Sequence, residues 1–314
     1  MVTTELPSGR VAPPPSRGAP PKPDLIQRRY ARLGWSLSAP ALAVVGIVTI
    51  APILFAIFMS FEKVNVTASG VSFNGATISN FHTVVTAGLW HHALWWTSMY
   101  TVVTVVLELI IGTIFALVLE RLTAGRGLMM ALLLIPWSLI TVISAELWSY
   151  IYDASYGILN GIWPNALGTP WSATFALVVA DVWKTTPFVT IIVLAGLVMI
   201  PSELVEASEV DGASEWKAFW RVTLPLLRPT IGIAVLFRVL QAFGLFDLPY
   251  VLTSGGPGTS TQSLAILAYN TMFTDIDFGP GAAVAVSTAV IVVLVCLVFL
   301  RAFKQQVGNE EVPA

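Results

Sequence analysis

Five ionisable residues fall inside long apolar stretches of the chain: Glu108, Glu146, Asp181, Lys184 and Arg238. A charge at the centre of a membrane-crossing helix costs roughly 2.5–3.5 kcal/mol, so such groups face a bundle interior or a wet cavity. Asp181 and Lys184 are three apart on one helical face, a spacing that predicts an ion pair. Arg238 and Gln241 share a face in the same way, and Glu146 has Tyr150 one turn on. Glu108 has no local partner and reads as a contact between helices. Glu146, Asp181, Lys184, Arg238 and Gln241 are therefore candidates for lining a polar pathway. The competing reading makes them charges that staple helices together. For Asp181 and Lys184 both readings stay open.

These residues need helices to hold them, and composition says where. Of 314 residues, 56% are hydrophobic and 11% charged. A soluble domain carries about 25% charged residues, so the chain belongs in a lipid bilayer. The formal net charge of −2 argues against a nucleic-acid partner bound by counterion release. Cys296 is the one cysteine, which excludes an internal disulfide and a cysteine metal cluster. His91 and His92 are adjacent and point apart on a helix, so no metal site is expected there. No Gly-x-x-x-x-Gly-Lys-Ser/Thr motif occurs. The chain itself then holds neither ATP nor magnesium, and hydrolysis falls to a partner.

The expected fold is an all-α integral membrane protein with six transmembrane helices. Stretches long enough to cross lie at about 33–61, 93–119, 128–152, 171–200, 230–252 and 282–303. Residues 1–32, rich in Pro and Arg, read as a disordered tail, and 304–314 as a second tail. Residues 263–273 are apolar but too short to span, which suggests an interfacial or re-entrant helix. Lys and Arg fall almost entirely on alternate connections: the N-terminal tail, Arg121 with Arg126, Lys217 with Arg221 and Arg228, and Arg301 with Lys304. The positive-inside bias places both termini and the 201–229 connection in the cytoplasm.

That connection is polar and ordered in its signals. Ser202 can cap a helix, Gly212 supplies a corner, Ser214 caps a second helix, and Pro225 stops it. Trp216, Phe219 and Trp220 lie at i, i+3, i+4 on that second helix. Glu206-Ala207-Ser208, three residues, Gly212, nine residues, then Val222-Thr223-Leu224-Pro225 resembles the EAA loop of bacterial ABC importer permeases. The family pattern is Glu-Ala-Ala, x3, Gly, x9, Ile-x-Leu-Pro; Ser208 replaces an Ala and Val222 the Ile. Tyr156–Asn160, Trp183–Phe188 and Leu252–Pro257 are similar to the sugar-permease group of that family, the maltose-transporter type.

The resemblance implies a permease subunit of a binding-protein-dependent carbohydrate importer. It implies a second permease subunit, two cytoplasmic ATPase subunits and an extracytoplasmic sugar-binding protein as partners. Glu206, Ala207, Ser208, Asp211, Gly212, Leu224 and Pro225 would couple the chain to an ATPase subunit. Phe237, Phe243 and Phe246, near Arg238, would then offer faces to a sugar ring. The chain lacks the large extra periplasmic domain and additional N-terminal helices of the enterobacterial maltose permease, which tells against maltose in particular; the resemblance also extends to actinobacterial-style uptake of trehalose or a related disaccharide. A proton- or ion-coupled secondary transporter is the rival, since it too places charges at mid-membrane. A membrane enzyme would need a nucleophile or metal constellation at one depth, and none is visible.

Overall fold

The computed structural model describes residues 25–67 and 70–308. Packing divides the chain after Leu54 into two units. Helix α1 (Leu25–Ser60), whose residues up to Leu54 belong to the first, carries Pro40 and Pro52 and begins eight residues before position 33, where the tail was expected to end. Most of both expected tails, 1–24 and 309–314, lies outside the described residues.

The second unit opens with a two-stranded antiparallel hairpin, β1 (Glu62–Thr67) and β2 (Gly70–Ala76). The expectation of an all-helical chain overlooked it, because its strands are short and largely exposed. Helix α2 (Ser79–Thr86) follows, and Asn80 donates to the carbonyls of Ser60 at 3.0 Å and Glu62 at 2.9 Å.

Four further apolar helices are long enough to cross a membrane: α3 (Gly88–Arg121), the run from Glu215 to Phe243, α6 (Pro170–Val198) and α12 (Phe278–Gly308). Helix α6 is the most enclosed, with 67% of its apolar window buried against 33% for α3. Helix α3 and the Glu215–Phe243 run pack against it, whereas α12 packs on that run and not on α6. A Cβ on Gly112 of α3 would stand 2.9 Å from Val189 of α6, and one on Gly196 of α6 would stand 2.7 Å from Thr230. Small residues at these crossings let the backbones approach closely. At one end of the bundle Trp96 donates to Thr174 at 3.1 Å and Tyr152 to the Ala176 carbonyl at 3.1 Å.

The stretch 128–152 is not one straight span. It is two helices, α4 (Arg126–Ser138) and α5 (Thr141–Tyr152), bent by 93°. Pro136 lacks the N–H that would continue the ladder, and Leu139 and Ile140 turn extended. The two halves together make the sixth candidate span.

The fifth span also sits differently. Helix α7 (Ser202–Val210) and the short α8 (Glu215–Ala218) flank Gly212, as the signals predict. Neither Ser202 nor Ser214 makes a side-chain cap bond; Pro201 and Ser214 occupy the N-cap positions. Pro225 does not stop the second helix. A π turn at Phe219–Thr223 widens the coil, and α9 (Leu224–Phe243) runs on with Pro225 in its first turn, where no N–H is needed. The span thus ends at Phe243 rather than 252. Gly244 closes it, and α10 (Asp247–Thr253) starts afresh with Pro249 in its first turn. Helix α11 (Leu264–Tyr269) and a π turn at Asn270–Thr274 fill the short 263–273 segment and pack beside α12.

Candidate functional site

The ionisable residues of the spans meet where α3, α6 and α9 cross. Arg238, Glu108 and Asp181 are all buried. Arg238 Nη2 donates to Glu108 Oε1 at 2.7 Å and to Asp181 Oδ2 at 3.3 Å, and its Nε donates to Glu108 Oε2. Its Nη1 reaches Gln241 Oε1 at 3.0 Å. Thr185 adds a hydroxyl to Glu108 Oε1 at 2.5 Å. One guanidinium fork thus engages two carboxylates from two other helices, the paired and hydrogen-bonded state a buried charge requires.

This corrects the expected Asp181–Lys184 pair and agrees with the reading of Glu108 as a contact between helices. Asp181 pairs with Arg238 and not with Lys184. Lys184 Nζ instead donates to the Leu139 carbonyl at 2.9 Å, at the break between α4 and α5. A helix C-terminus leaves carbonyls unpaired and carries partial negative charge, so it attracts the ammonium. Glu108, with no partner along its own helix, is the main anion of Arg238, 130 positions away. Glu146 is exposed on α5 and stands apart from the cluster; Gln241 is the member that reaches an exposed surface. The five pathway candidates therefore do not form one lining. Of the three phenylalanines, Phe243 is buried, Phe237 meets Phe188 edge-on at 6.2 Å, and Phe246 stacks on Tyr250 at 4.8 Å.

The 202–225 segment presents a second constellation. Helix α7 buries no residue. Its end is closed by Asp211 N–H to Ala207 at 3.0 Å, Gly212 N–H to Glu209 at 2.9 Å and Ala213 N–H to Ser208 at 2.9 Å. Gly212 sits at φ 79°, a left-handed conformation open to glycine, and no atom lies within 4 Å of where its Cβ would be. Glu206, Ala207, Asp211 and Gly212 are exposed, while Ser208, Leu224 and Pro225 are half-buried. Behind them Ala218 is buried, Trp216 and Trp220 meet at 5.6 Å, and Arg121 of α3 binds Glu215 at 2.9 Å. The corner and the Trp216 and Trp220 rings beside it thus form one exposed face.

The model of the family described as "Binding-protein-dependent transport system inner membrane component" matches residues 108–307. The chain belongs to that family. It is 40% identical over 283 residues to the trehalose/maltose transport system permease protein MalF of Thermococcus litoralis, covering 88% of this chain and 95% of the relative. It is 37% identical over 276 residues to the trehalose transport system permease protein SugA of Mycobacterium tuberculosis, covering 87% and 89%. Its fold matches a crystal structure of a bacterial ABC transporter that imports the acidic polysaccharide alginate. There the TM-score is 0.76 at 19% identity, over 88% of this chain and 98% of the other. The chain is thus a multi-pass inner-membrane permease subunit of an ABC importer that works with a binding protein, and not an enzyme. Nothing in these likenesses supports an ion-coupled secondary transporter.

Proposed function

We propose that this permease is one half of the pore of an ATP-driven importer of trehalose, maltose or a related disaccharide. What carries the reading is the near full-length identity to two permeases named for those sugars. The second half of the pore is a second permease subunit, and an extracytoplasmic sugar-binding protein delivers the cargo. Each permease docks one of two cytoplasmic ATPase subunits, which hold the ATP and magnesium. In this chain the contact is the exposed corner of Glu206, Ala207, Asp211 and Gly212, with Ser208, Leu224 and Pro225 holding its shape. The bias of Lys and Arg toward alternate connections supports placing that corner and both termini in the cytoplasm.

Transmission from corner to pore follows the covalent path. Helix α9 continues from the coupling segment through the π turn to Arg238, whose guanidinium grips α3 and α6. A displacement at the corner therefore moves three helices as a set. Gln241, one turn beyond Arg238 and exposed, offers its amide to sugar hydroxyls; Arg238, Asp181 and Lys184 position it and the helices around it. Glu146, exposed on α5 and apart from this cluster, would meet the cargo separately if the path extends along α5.

The test is uptake in sealed vesicles holding the complete complex. With ATP and magnesium trapped inside and the binding protein outside, labelled trehalose should accumulate. Collapsing the proton gradient should leave this uptake intact, and omitting ATP should abolish it. Accumulation driven by an imposed proton gradient without ATP would overturn the proposal.

A further inference from the structure

Where α9 ends, the chain builds a row of four rings, of which only Phe246 has been given a role above. Phe246 stacks on Tyr250 with centroids 4.8 Å apart and planes 18° from parallel. Tyr269 closes on both, at 5.3 Å from each, and Phe273 continues the row at 5.1 Å from Tyr269. The pairs 246/250 and 269/273 are i, i+4, so two helical segments each offer one side to the row. The rings are not sealed into a core: Tyr250 and Tyr269 are each 36% exposed and Phe273 58%. A hollow of about 290 Å³ opens beside Phe246, Tyr269 and Phe273. Helix α9 has 20 residues, so the row stands about 30 Å along the helix from the coupling corner. It lies one short break beyond Gln241.

Charge narrows what such a surface accepts. From residue 239 to residue 300 the sequence holds no Lys and no Arg. Its ionisable side chains beside the row are acidic: Asp247 follows Phe246, and Asp275 caps the π turn that carries Phe273, its N–H on the Asn270 carbonyl at 2.9 Å. Aromatic faces carry negative charge density and attract the weakly positive C–H faces of a pyranose ring. Carboxylates accept from hydroxyl groups but repel other carboxylates.

We infer that Phe246, Tyr250, Tyr269 and Phe273 form a stacking platform for uncharged sugar rings at the mouth of the pore opposite the ATPase contact. Asp247 and Asp275 take hydroxyl hydrogens there and turn acidic saccharides away. The platform deepens the carbohydrate reading above and rests on it.

The test uses the complete complex in vesicles, with trehalose as probe and a disaccharide bearing a uronic acid as its charged counterpart. Wild type should take up the first and not the second. In Tyr250→Ala and Tyr269→Ala, trehalose moved per ATP hydrolysed should fall about three- to tenfold, the scale of one lost ring contact. The subunits should still co-purify, and Tyr250→Trp, which keeps a ring face, should restore uptake. Wild-type stoichiometry in both alanine variants sinks the platform. So does a Trp variant as damaged as Ala, or subunits that separate, since the rings would then be a seam between subunits. Equal uptake of the uronic acid disaccharide overturns the charge selection. Failure of wild type to take up any neutral disaccharide removes the carbohydrate reading, and the platform with it, before a ring is changed.

Discussion

Arg238 shows how a residue's surroundings decide its role. At the level of the sequence it is a cation at membrane depth with Gln241 one turn on. In the folded chain its donors are engaged by Glu108, Asp181 and Gln241. Replacing it by Met leaves two buried carboxylates without their cation, a change that costs about 3–5 kcal/mol. Arg238→Met should therefore fail as folded protein, visible as a lowered unfolding temperature in detergent and loss of the assembled complex. Gln241→Ala should fold and assemble normally yet carry sugar poorly. An Arg238→Met protein as stable as wild type would mean the cluster is no staple. The ionisable residues were legible because charges stand out against apolar runs. Their pairing was not, because the partner of Arg238 is 130 positions away and only the crossing of α3 with α9 brings it near. Asp181 and Lys184 share a helical face, but each found a stronger partner across the bundle.

At the scale of elements, the coupling corner separates shape from contact. Asp tolerates the left-handed region better than most residues, and open space surrounds Gly212. Gly212→Asp should thus leave α7 and α8 in place while setting a bulky anion in the docking face. The permease should insert and purify normally, but ATPase subunits should no longer co-purify and stimulated ATP hydrolysis should drop. Retention of both would show that the corner is not the contact. Gly112 tests packing instead: its Cβ would overlap Val189, so Gly112→Val should lower the unfolding temperature by forcing α3 from α6. The sequence carried the long helices and the Gly212 corner plainly, through hydropathy and a flexible residue. It hid the breaks. Pro136 and Gly244 sit inside apolar runs that read as continuous, and Pro225 reads as a stop until the π turn and its first-turn position are seen. The hairpin at 62–76 escaped because its alternation is confined to Val64 and Val66 on one strand and Val71 and Phe73 on the other, too short to stand out among polar and glycine residues.

At the scale of the whole molecule, the arrangement in the membrane can be read by an impermeant thiol reagent, with Cys296 first replaced by Ser. Ser72→Cys and Thr259→Cys, both exposed, should react in intact cells, and Ser214→Cys only after permeabilisation. Ser260 is a poorer choice than its neighbour because its hydroxyl is buried. Reaction of position 214 from outside would invert the protein and remove the ATPase contact from the cytoplasm. The bend between α4 and α5 also has a consequence for how the protein is made. The bond that steadies it comes from Lys184, 45 residues downstream of Leu139, so the ribosome must deliver most of the way to mid-α6 before that bond exists. Until then the turn at Leu139 and Ile140 rests on Pro136 alone. The shape of the 126–152 segment is thus begun locally and secured only by a helix made after it.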